Sequence, residues 1–312
     1  MRAVTLAEFG GPEKLVCQEV PEPVPEPGEA VIAVVVATVT GGDTHIRAGE
    51  ARRPALPAIL GEGVAGVVAA TGADVDESLL GTRVIIATGG LGGYAEQVAG
   101  PAADLIPVPP DLPLADAAAL LIDGRDAFGW FRAAPPVSGE WVLIAFTGGG
   151  VGSLLVRLCT ARGARVVAAT GGPGELVLAG ESGAEVLVDH TRPDWADAVR
   201  VATGGLDLVF DGVGAEVGRA ALGLLRDGGR YCTNGKTPAP EPIDAERLTL
   251  LGPDSLPADP RRQRVLAATA LTEAAEGRLR PTIGQTFPLD RAADAHTAIE
   301  TGHTVGSTLL VP

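Results

Sequence analysis

The sequence predicts a two-domain α/β protein in which a largely antiparallel β domain precedes a doubly wound parallel sheet with helices on both faces. The 312-residue length suits two domains or one large α/β unit. Up to about residue 120, short β-type runs alternate with Gly and Pro, which is typical of an antiparallel sheet. From about residue 125, short apolar runs alternate with segments of helical periodicity, which indicates repeated β-α units.

The elements of the first part follow from these runs. Strands are predicted at residues 30–39, 63–70, 83–87 and 94–99. Residues 21–27 carry proline at every second position. Because a strand follows almost at once, we expect an extended edge segment there and not a linker.

The second part predicts a parallel sheet and a returning terminal segment. Buried strands are predicted at residues 141–146, 165–169, 185–188 and 206–210, and helices at 153–162, 175–182 and 262–276. Residues 282–312 predict strand, helix and strand, and the last strand is expected to re-enter the first domain because chain termini often lie close together. The expected domains are therefore 1–122 completed by 268–312, and 123–267.

Composition excludes several classes of protein. The net charge of −15, from 24 basic and 39 acidic side chains, repels nucleic acids and anionic membrane surfaces. Apolar stretches such as residues 30–37 are far shorter than the roughly 20 residues of a membrane-spanning helix. The N-terminal residues show no secretion signal, and three widely spaced cysteines predict neither a disulfide framework nor a zinc knuckle. We expect a cytoplasmic enzyme in a reducing compartment.

A glycine cluster stands between the first strand and the first helix of the alternating part. It comprises Thr147, Gly148, Gly149, Gly150, Val151 and Gly152. Glycines there let backbone amides approach a pyrophosphate, and the following helix directs its partially positive N-terminus at that anion. The strand before it and the helix after it favour a dinucleotide-binding loop over an ordinary glycine turn.

The chain resembles the medium-chain dehydrogenase/reductase superfamily in its zinc-free quinone oxidoreductase (zeta-crystallin-like) branch. Besides the glycine loop, the matching segments, in order, are residues 1–4, 8–13, 43–47, 92–96, 203–205, 211–214 and 295–296. The resemblance implies a GroES-like β domain with the substrate pocket, a Rossmann domain, and a cleft between them. It further implies hydride transfer from NADPH to a small-molecule quinone or enone, and a homodimer joined near residues 244–257.

Zinc is not expected, because its ligands are missing. Thr40 matches the first cysteine of the alcohol dehydrogenase branch, residues 61–63 read G-E-G in place of G-H-E, and the structural four-cysteine loop is absent. His190, His296 and His303 stand alone, without partners at ligand spacing.

The end of the second Rossmann strand favours NADP(H). An acidic residue there would bind the ribose 2′-hydroxyl of NAD, and this sequence has Thr170, Gly171 and Gly172 instead. Glu175 opposes that preference, because it matches the family's usual lysine and would repel a 2′-phosphate. His190 and Asn234 are further candidate cofactor-binding residues.

The substrate region departs from the family pattern at several charged or polar positions. Thr40 and Gly41 replace an Asn-Pro pair, and His45 replaces an aromatic residue. Asp126 matches the threonine beside the nicotinamide, with Asp123 and Arg125 in place of apolar neighbours. The candidate catalytic residues are Thr40, Asp43, His45, Asp123, Arg125 and Asp126. The charges at 123, 125 and 126 either are paired or solvated for structural reasons or serve the chemistry.

Three functions remain open at this point. The first is NADP(H)-dependent reduction of a quinone or an activated C=C bond, with Thr40, His45 and Arg125 to stabilise an enolate oxygen and supply a proton. The second keeps the fold but performs non-redox dehydration, isomerisation or cyclisation by acid–base catalysis through His45, Asp43, Asp123 or Asp126. The third is a non-catalytic role. We expect the first.

Overall fold

The computed structural model describes residues 1–233, 247–302 and 304–312. The chain divides into two compact units, Met1–Asp123 with Ala267–Pro312, and Gly124–Leu266. None of the described helices combines the length and apolarity needed to cross a membrane.

The strands in chain order are β1 (Arg2–Leu6), β2 (Leu15–Glu19), β3 (Glu29–Val39), β4 (Ala58–Ile59), β5 (Gly63–Thr71), β6 (Arg83–Ala87), β7 (Gln97–Pro101), β8 (Ile106–Pro107), β9 (Trp141–Ile144), β10 (Arg165–Thr170), β11 (Val186–Asp189), β12 (Leu206–Asp211), β13 (Leu225–Thr233), β14 (Thr249–Leu251), β15 (Ile283–Pro288) and β16 (Ser307–Val311). The α-helices are α1 (Gly41–Ala48), α2 (Leu114–Ala133), α3 (Gly150–Ala161), α4 (Pro173–Glu181), α5 (Trp195–Thr203), α6 (Ala215–Leu222), α7 (Pro260–Ala275) and α8 (Ala292–Glu300). Short 3-10 turns lie at Pro12–Lys14, Glu77–Leu79, Ala102–Asp104, Pro253–Ser255 and Leu289–Arg291.

The first unit is built from two mainly antiparallel sheets. The larger sheet has the order β15-β16-β3-β5-β6-β8, with β7 also paired to β3, and the smaller has the order β2-β1-β4. The terminal strand β16 pairs antiparallel with β3, with Leu309 opposite Thr38. The predicted return of the C-terminal strand to the first domain is therefore confirmed.

The core of the first unit lies against β3, in which eight of the 11 residues are buried. Leu6, Ile32, Leu60 and Leu310 are fully buried there. The backbones of β3 and β5 approach so closely that a Cβ on Gly66 would lie 2.1 Å from the Ala33 carbonyl oxygen. This position therefore requires glycine.

The second unit contains the predicted doubly wound sheet. Its six parallel strands have the order β11-β10-β9-β12-β13-β14. This is the Rossmann order, in which the strand sequence reverses direction between β9 and β12. All four residues of β9 are buried at the centre of the sheet. Ligands of such sheets bind outside the carboxyl ends of the strands at this reversal point.

Several predicted elements needed correction. The strand expected at 94–99 starts at Gln97, and residues 21–27 belong to no strand, so the edge-segment interpretation was wrong. Helix α2 was not predicted, because the continuous apolar run at 117–122 is buried on all sides and shows no helical period. Helix α4 starts two residues before the predicted bound, since Pro173 has a φ angle suited to the first helical position.

Candidate functional site

The glycine loop connects β9 to α3 and leaves an open, electropositive helix end. The N-cap of α3 is Gly149, whose lack of a side chain leaves the first-turn N–H groups without a side-chain cap. A Cβ on Gly149 would meet no atom within 4 Å, so space is free above the loop. The Thr147 hydroxyl is buried and has no hydrogen-bond partner in the part of the chain that the structure describes. These donors fit a phosphate group.

Two further glycines allow this loop to pack tightly. A Cβ on Gly152 would lie 1.9 Å from the Phe146 carbonyl oxygen, and one on Gly212 would lie 2.5 Å from the Phe146 ring. Gly152 thus permits the close contact of helix and strand that the third glycine of a dinucleotide fingerprint provides.

The adjacent loop, after β10, is occupied by a carboxylate. Glu175 accepts a hydrogen bond from the Thr170 hydroxyl and another, at 3.3 Å, from the Gly171 N–H. A Cβ on Gly148 would lie 2.3 Å from Glu175 Cδ, so the same carboxyl group also reaches the glycine loop. Two of the donors at this strand end, the Thr170 hydroxyl and the Gly171 N–H, therefore already bind Glu175.

The cofactor candidates of the second unit come together at the carboxyl ends of β9, β10 and β11. His190 follows β11, and its Cε1 atom would lie 3.3 Å from a Cβ on Gly171. Gly172 is the N-cap of α4. Asn234 lies outside the described residues. The helix end without a side-chain cap and the Thr147 hydroxyl, for which no described residue is a hydrogen-bond partner, are suited to a phosphate group at this edge of the sheet.

In the first unit, Thr40 and Asp43 form a capping box at the start of α1. The Thr40 N–H and hydroxyl both donate to Asp43 Oδ2 at 2.8 Å, and the Asp43 N–H donates to Thr40 Oγ1 at 3.2 Å. This reciprocal bonding satisfies the free N–H groups of the helix end. It also fixes a half-buried hydroxyl directly against a buried carboxyl.

The environment of Asp43 strongly favours its neutral form. Its side chain is buried, and this desolvation raises the pKa of Asp43 from 3.8 to about 7. The negative charge of Glu62 raises the pKa further, whereas the donors of Thr40 and Tyr94 oppose the rise. Asp43 is consequently a carboxyl group that can give up or take a proton near neutral pH.

Tyr94 and His296 extend this group of polar side chains into the core. The Tyr94 hydroxyl lies 3.0 Å from His296 Nε2, and the two rings meet edge to face at 87°. Burial, together with the charge of Arg47, lowers the pKa of His296 from 6.5 to about 3, so the imidazole is neutral. Arg47 is itself buried and paired with Glu300.

The remaining catalytic candidates lie elsewhere. His45 is on the exposed face of α1, with Nδ1 2.9 Å from Glu50 Oε2. Asp123 accepts a hydrogen bond from the Ser307 hydroxyl at 2.6 Å. Arg125 and Asp126 form an ion pair with an N–O distance of 2.7 Å. All three charged residues of α2 singled out by the sequence therefore have polar partners.

No group of three or more His, Cys, Asp or Glu side chains is placed to hold a metal ion among residues 1–233, 247–302 and 304–312. The three cysteines, Cys17, Cys159 and Cys232, are free thiols. His303 falls outside the described residues.

Sequence reasoning missed the roles of Tyr94 and His296. Both belong to segments that carry the family resemblance, yet 202 residues separate them. At position 94, the only local indication of a buried polar residue is a tyrosine flanked by small residues. No local pattern predicts that the histidine at position 296 is fully buried. Their contact depends on the C-terminal segment returning to the first unit.

Family models match both parts of the chain. Residues 26–110 match the alcohol dehydrogenase GroES-like domain, and residues 182–310 match the zinc-binding dehydrogenase family.

Individual proteins match along nearly the whole length. The chain is 31% identical to a quinone oxidoreductase of Mus musculus over 310 residues, covering 96% of this chain and 94% of the relative. It is 30% identical to a 2-haloacrylate reductase of Burkholderia sp. over 328 residues, covering 99% and 98%. A mycobacterial protein solved in complex with NADPH superposes with a TM-score of 0.88 at 31% identity, with full coverage of both chains.

Proposed function

Since the chain belongs to the quinone oxidoreductase branch of the medium-chain dehydrogenase/reductase superfamily, we propose that it is a zinc-free, NADPH-dependent enzyme that reduces a quinone or an activated carbon–carbon double bond. The two named relatives act on quinones and on 2-haloacrylate. Both are electron-poor unsaturated compounds, which is the class that accepts a hydride. We propose that Gly124–Leu266 is the dinucleotide-binding domain and that the other unit is the substrate domain.

The observation that carries this proposal is the open anion site of the glycine loop. The helix end has no side-chain cap, and the buried Thr147 hydroxyl has no hydrogen-bond partner among the described residues. Residues 147–152 would hold the pyrophosphate, and residues 170–172 with His190 would hold the adenosine end. Bound NADPH supplies the hydride.

Thr40 and Asp43 supply the proton and stabilise the substrate oxygen. Reduction of an enone or a quinone builds negative charge on that oxygen, and a hydroxyl donor stabilises it. When Asp43 is protonated, its Oδ2–H donates to Thr40 Oγ1, which lies 2.8 Å away, and leaves the Thr40 hydroxyl proton free to donate to substrate. Proton transfer from Thr40 to the oxygen, with replacement from Asp43, leaves an Asp43 carboxylate. A pKa of about 7 for Asp43 suits a general acid at neutral pH.

The absence of zinc is supported by the residues at the matching positions. Thr40 uses its hydroxyl in the capping box, and Glu62 stands where a histidine ligand would be needed. Metal analysis of protein purified without chelators is expected to give no stoichiometric zinc. One zinc ion per polypeptide chain would contradict the proposal.

The non-redox alternative finds less support. It required acid–base chemistry from His45, Asp43, Asp123 or Asp126. His45 is exposed and paired with Glu50, and Asp123 and Asp126 have hydrogen-bonding partners. Asp43 alone keeps the burial and shifted pKa of a catalytic acid, and a reductase uses such an acid equally well.

We also propose that the enzyme is a cytoplasmic homodimer joined along β14. This short strand is the outer member of the six-stranded sheet, and Leu250 on it is 47% exposed. An unpaired edge with an exposed apolar side chain tends to pair with another strand. Part of the segment expected at this interface, 244–246, lies outside the described residues. Light scattering that gives the mass of a monomer at micromolar concentrations would contradict this assembly.

Nucleotide binding followed by turnover tests the function directly. Purified protein is titrated with NADPH, and enhancement of nicotinamide fluorescence reports binding. A panel of quinones and enones is then added, and loss of the reduced-nicotinamide absorbance reports turnover. We expect binding and turnover with at least one member of the panel. Binding without turnover across a broad panel would favour the non-redox alternative, and failure to bind any nucleotide would favour a non-catalytic role.

A further inference from the structure

We propose that Glu175 is a specificity-determining residue that weakens the binding of the 2′-phosphate of NADPH and allows NADH to bind comparably well. The inference rests on the proposed function, since it concerns the nucleotide site of the same enzyme.

The position of the carboxyl group carries the argument. Glu175 lies in the first turn of α4, yet its Oε2 atom reaches back to the Thr170 hydroxyl and the Gly171 N–H at the end of β10. Its Cδ atom also lies against Gly148 of the glycine loop. An acidic group at the end of the second Rossmann strand is the one that accepts a hydrogen bond from the ribose 2′-hydroxyl of NAD. Glu175 places such a group there from the following helix.

The same position disfavours a phosphate in two ways. First, the Thr170 hydroxyl and Gly171 N–H are the donors closest to the strand end, and both are engaged by Glu175. Second, the 2′-phosphate, with close to two negative charges, would lie beside the Glu175 carboxylate, and neighbouring like charges repel each other. Neither neighbouring arginine relieves this repulsion, because Arg192 pairs with Asp194 and Arg165 lies at the opposite end of β10, paired with Glu185.

A role in stabilising the helix does not account for this geometry. Glu175 occupies the third position of α4, and a capping-box glutamate at that position accepts a hydrogen bond from the N-cap residue, here Gly172. Its hydrogen bonds go instead to Gly171 and Thr170, and its contact with Gly148 lies outside the helix. A carboxylate that serves only the helix N-terminus would leave the choice between NADH and NADPH unchanged.

Equilibrium binding of four nucleotides tests the inference without any turnover. Calorimetric titrations with NADH, NADPH, 5′-ADP and 2′,5′-ADP are compared for the wild type, Glu175→Gln and Glu175→Lys. Glu181→Gln is the matched control, because it removes the same charge from the exposed C-terminal end of the same helix. Thermal melts of each variant establish that the protein is folded.

We expect the wild type to bind NADH and NADPH with comparable affinity. Glu175→Gln should raise the affinity for NADPH and 2′,5′-ADP about tenfold, and Glu175→Lys should raise it further, because the repulsive charge is removed and then reversed. NADH and 5′-ADP should gain no affinity, and Glu181→Gln should match the wild type.

Two results would overturn the inference in distinguishable ways. If the wild type binds NADPH far more tightly than NADH and Glu175→Gln leaves that ratio unchanged, Glu175 does not set specificity and the proposed function stands. If the folded wild type binds none of the four nucleotides, the proposed function fails and the inference fails with it.

Discussion

The Tyr94 hydroxyl and His296 Nε2 are hydrogen-bonded at 3.0 Å inside the first unit, although their positions in the sequence are 202 residues apart. Both side chains are fully buried. Because His296 is neutral, its tautomer decides whether the Tyr94 hydroxyl or the Nε2–H group donates in this contact. A buried polar group that loses such a partner cannot turn to water. The pair therefore links the fold of helix α8 to the Thr40–Asp43 capping box through Tyr94, which faces Asp43.

This contact predicts a non-additive loss of stability. Tyr94→Phe removes a hydrogen-bond partner from both His296 and Asp43, and His296→Leu leaves the Tyr94 hydroxyl with Asp43 alone, so each should lower the free energy of unfolding by about 1–3 kcal/mol. The double variant leaves neither partner behind and should cost about 1 kcal/mol less than the sum of the two. Urea denaturation of the four proteins gives these values. Strict additivity would contradict a direct interaction.

Asp43 and His296 predict opposite contributions to the pH dependence of stability. Asp43 has a pKa of about 7 in the folded protein against 3.8 as a free group, so its contribution is present at low pH and is lost as the pH rises towards 7. His296 has a pKa of about 3 in the folded protein against 6.5, so its contribution is present above pH 6.5 and is lost as the pH falls towards 3. The two effects oppose each other between the two free-group values.

Single variants should remove one of these two pH effects and leave the other measurable. Asp43→Asn should make stability rise more steeply with pH in that window, by up to about 1.4 kcal/mol per pH unit, because only the His296 effect remains. His296→Leu should change the slope by a similar amount in the opposite direction. Unfolding free energies measured across the window for both variants and the wild type check this. Parallel curves for all three proteins would refute the shifted pKa values.

Alanine substitutions at two glycines of the glycine loop form a matched pair, because each adds one methyl group. Gly152→Ala should destabilise the second unit and weaken nucleotide binding, since its Cβ would lie 1.9 Å from a backbone oxygen. Gly149→Ala should fold with a nearly unchanged melting temperature, because its Cβ meets no atom within 4 Å and its φ of −88° suits alanine. Its added methyl group should still weaken NADPH binding by entering the space above the loop. If Gly149→Ala binds NADPH as tightly as the wild type, the nucleotide does not occupy the space above the glycine loop.

Substitutions at Asp126 and His45 distinguish the proposed reductase from the non-redox alternative. Asp126→Thr removes one partner of an ion pair whose aspartate side chain is 36% exposed, so stability should change by less than about 1 kcal/mol. Reductase activity should stay the same or rise, because threonine is the residue that the family has there, and His45→Phe should also retain activity. A loss of about 10²–10⁴-fold in native turnover for either folded variant would instead indicate acid–base catalysis by that side chain.

The sequence predicts those features that depend on local pattern. Strand β6 at Arg83–Ala87 has the predicted bounds, and the glycine loop lies between the strand and the helix expected for it. The return of β16 to the first unit was also predictable, because a strand at the chain end needs a sheet to join.

The features that were missed depend on contacts between distant segments or on side-chain direction. Helix α2 gives no periodic signal because its apolar residues are buried all round. The sequence indicates that Glu175 places a negative charge near the nucleotide site. Only the direction of its side chain in the structure shows that it binds Thr170. The pairing of Asp123 with Ser307 likewise joins segments that lie far apart in the sequence.

Transfer of a labelled hydride tests the central claim most directly. NADPH deuterated at C4 of the nicotinamide, on each face in turn, is incubated with the enzyme and the enone or quinone that turns over, and the product is examined by mass spectrometry and NMR. With an enone we predict one deuterium on the product β-carbon from one of the two labelled faces, and a solvent-derived proton completing the reduction. Conversion of substrate without deuterium transfer and without oxidation of NADPH would show that the chemistry is not a reduction.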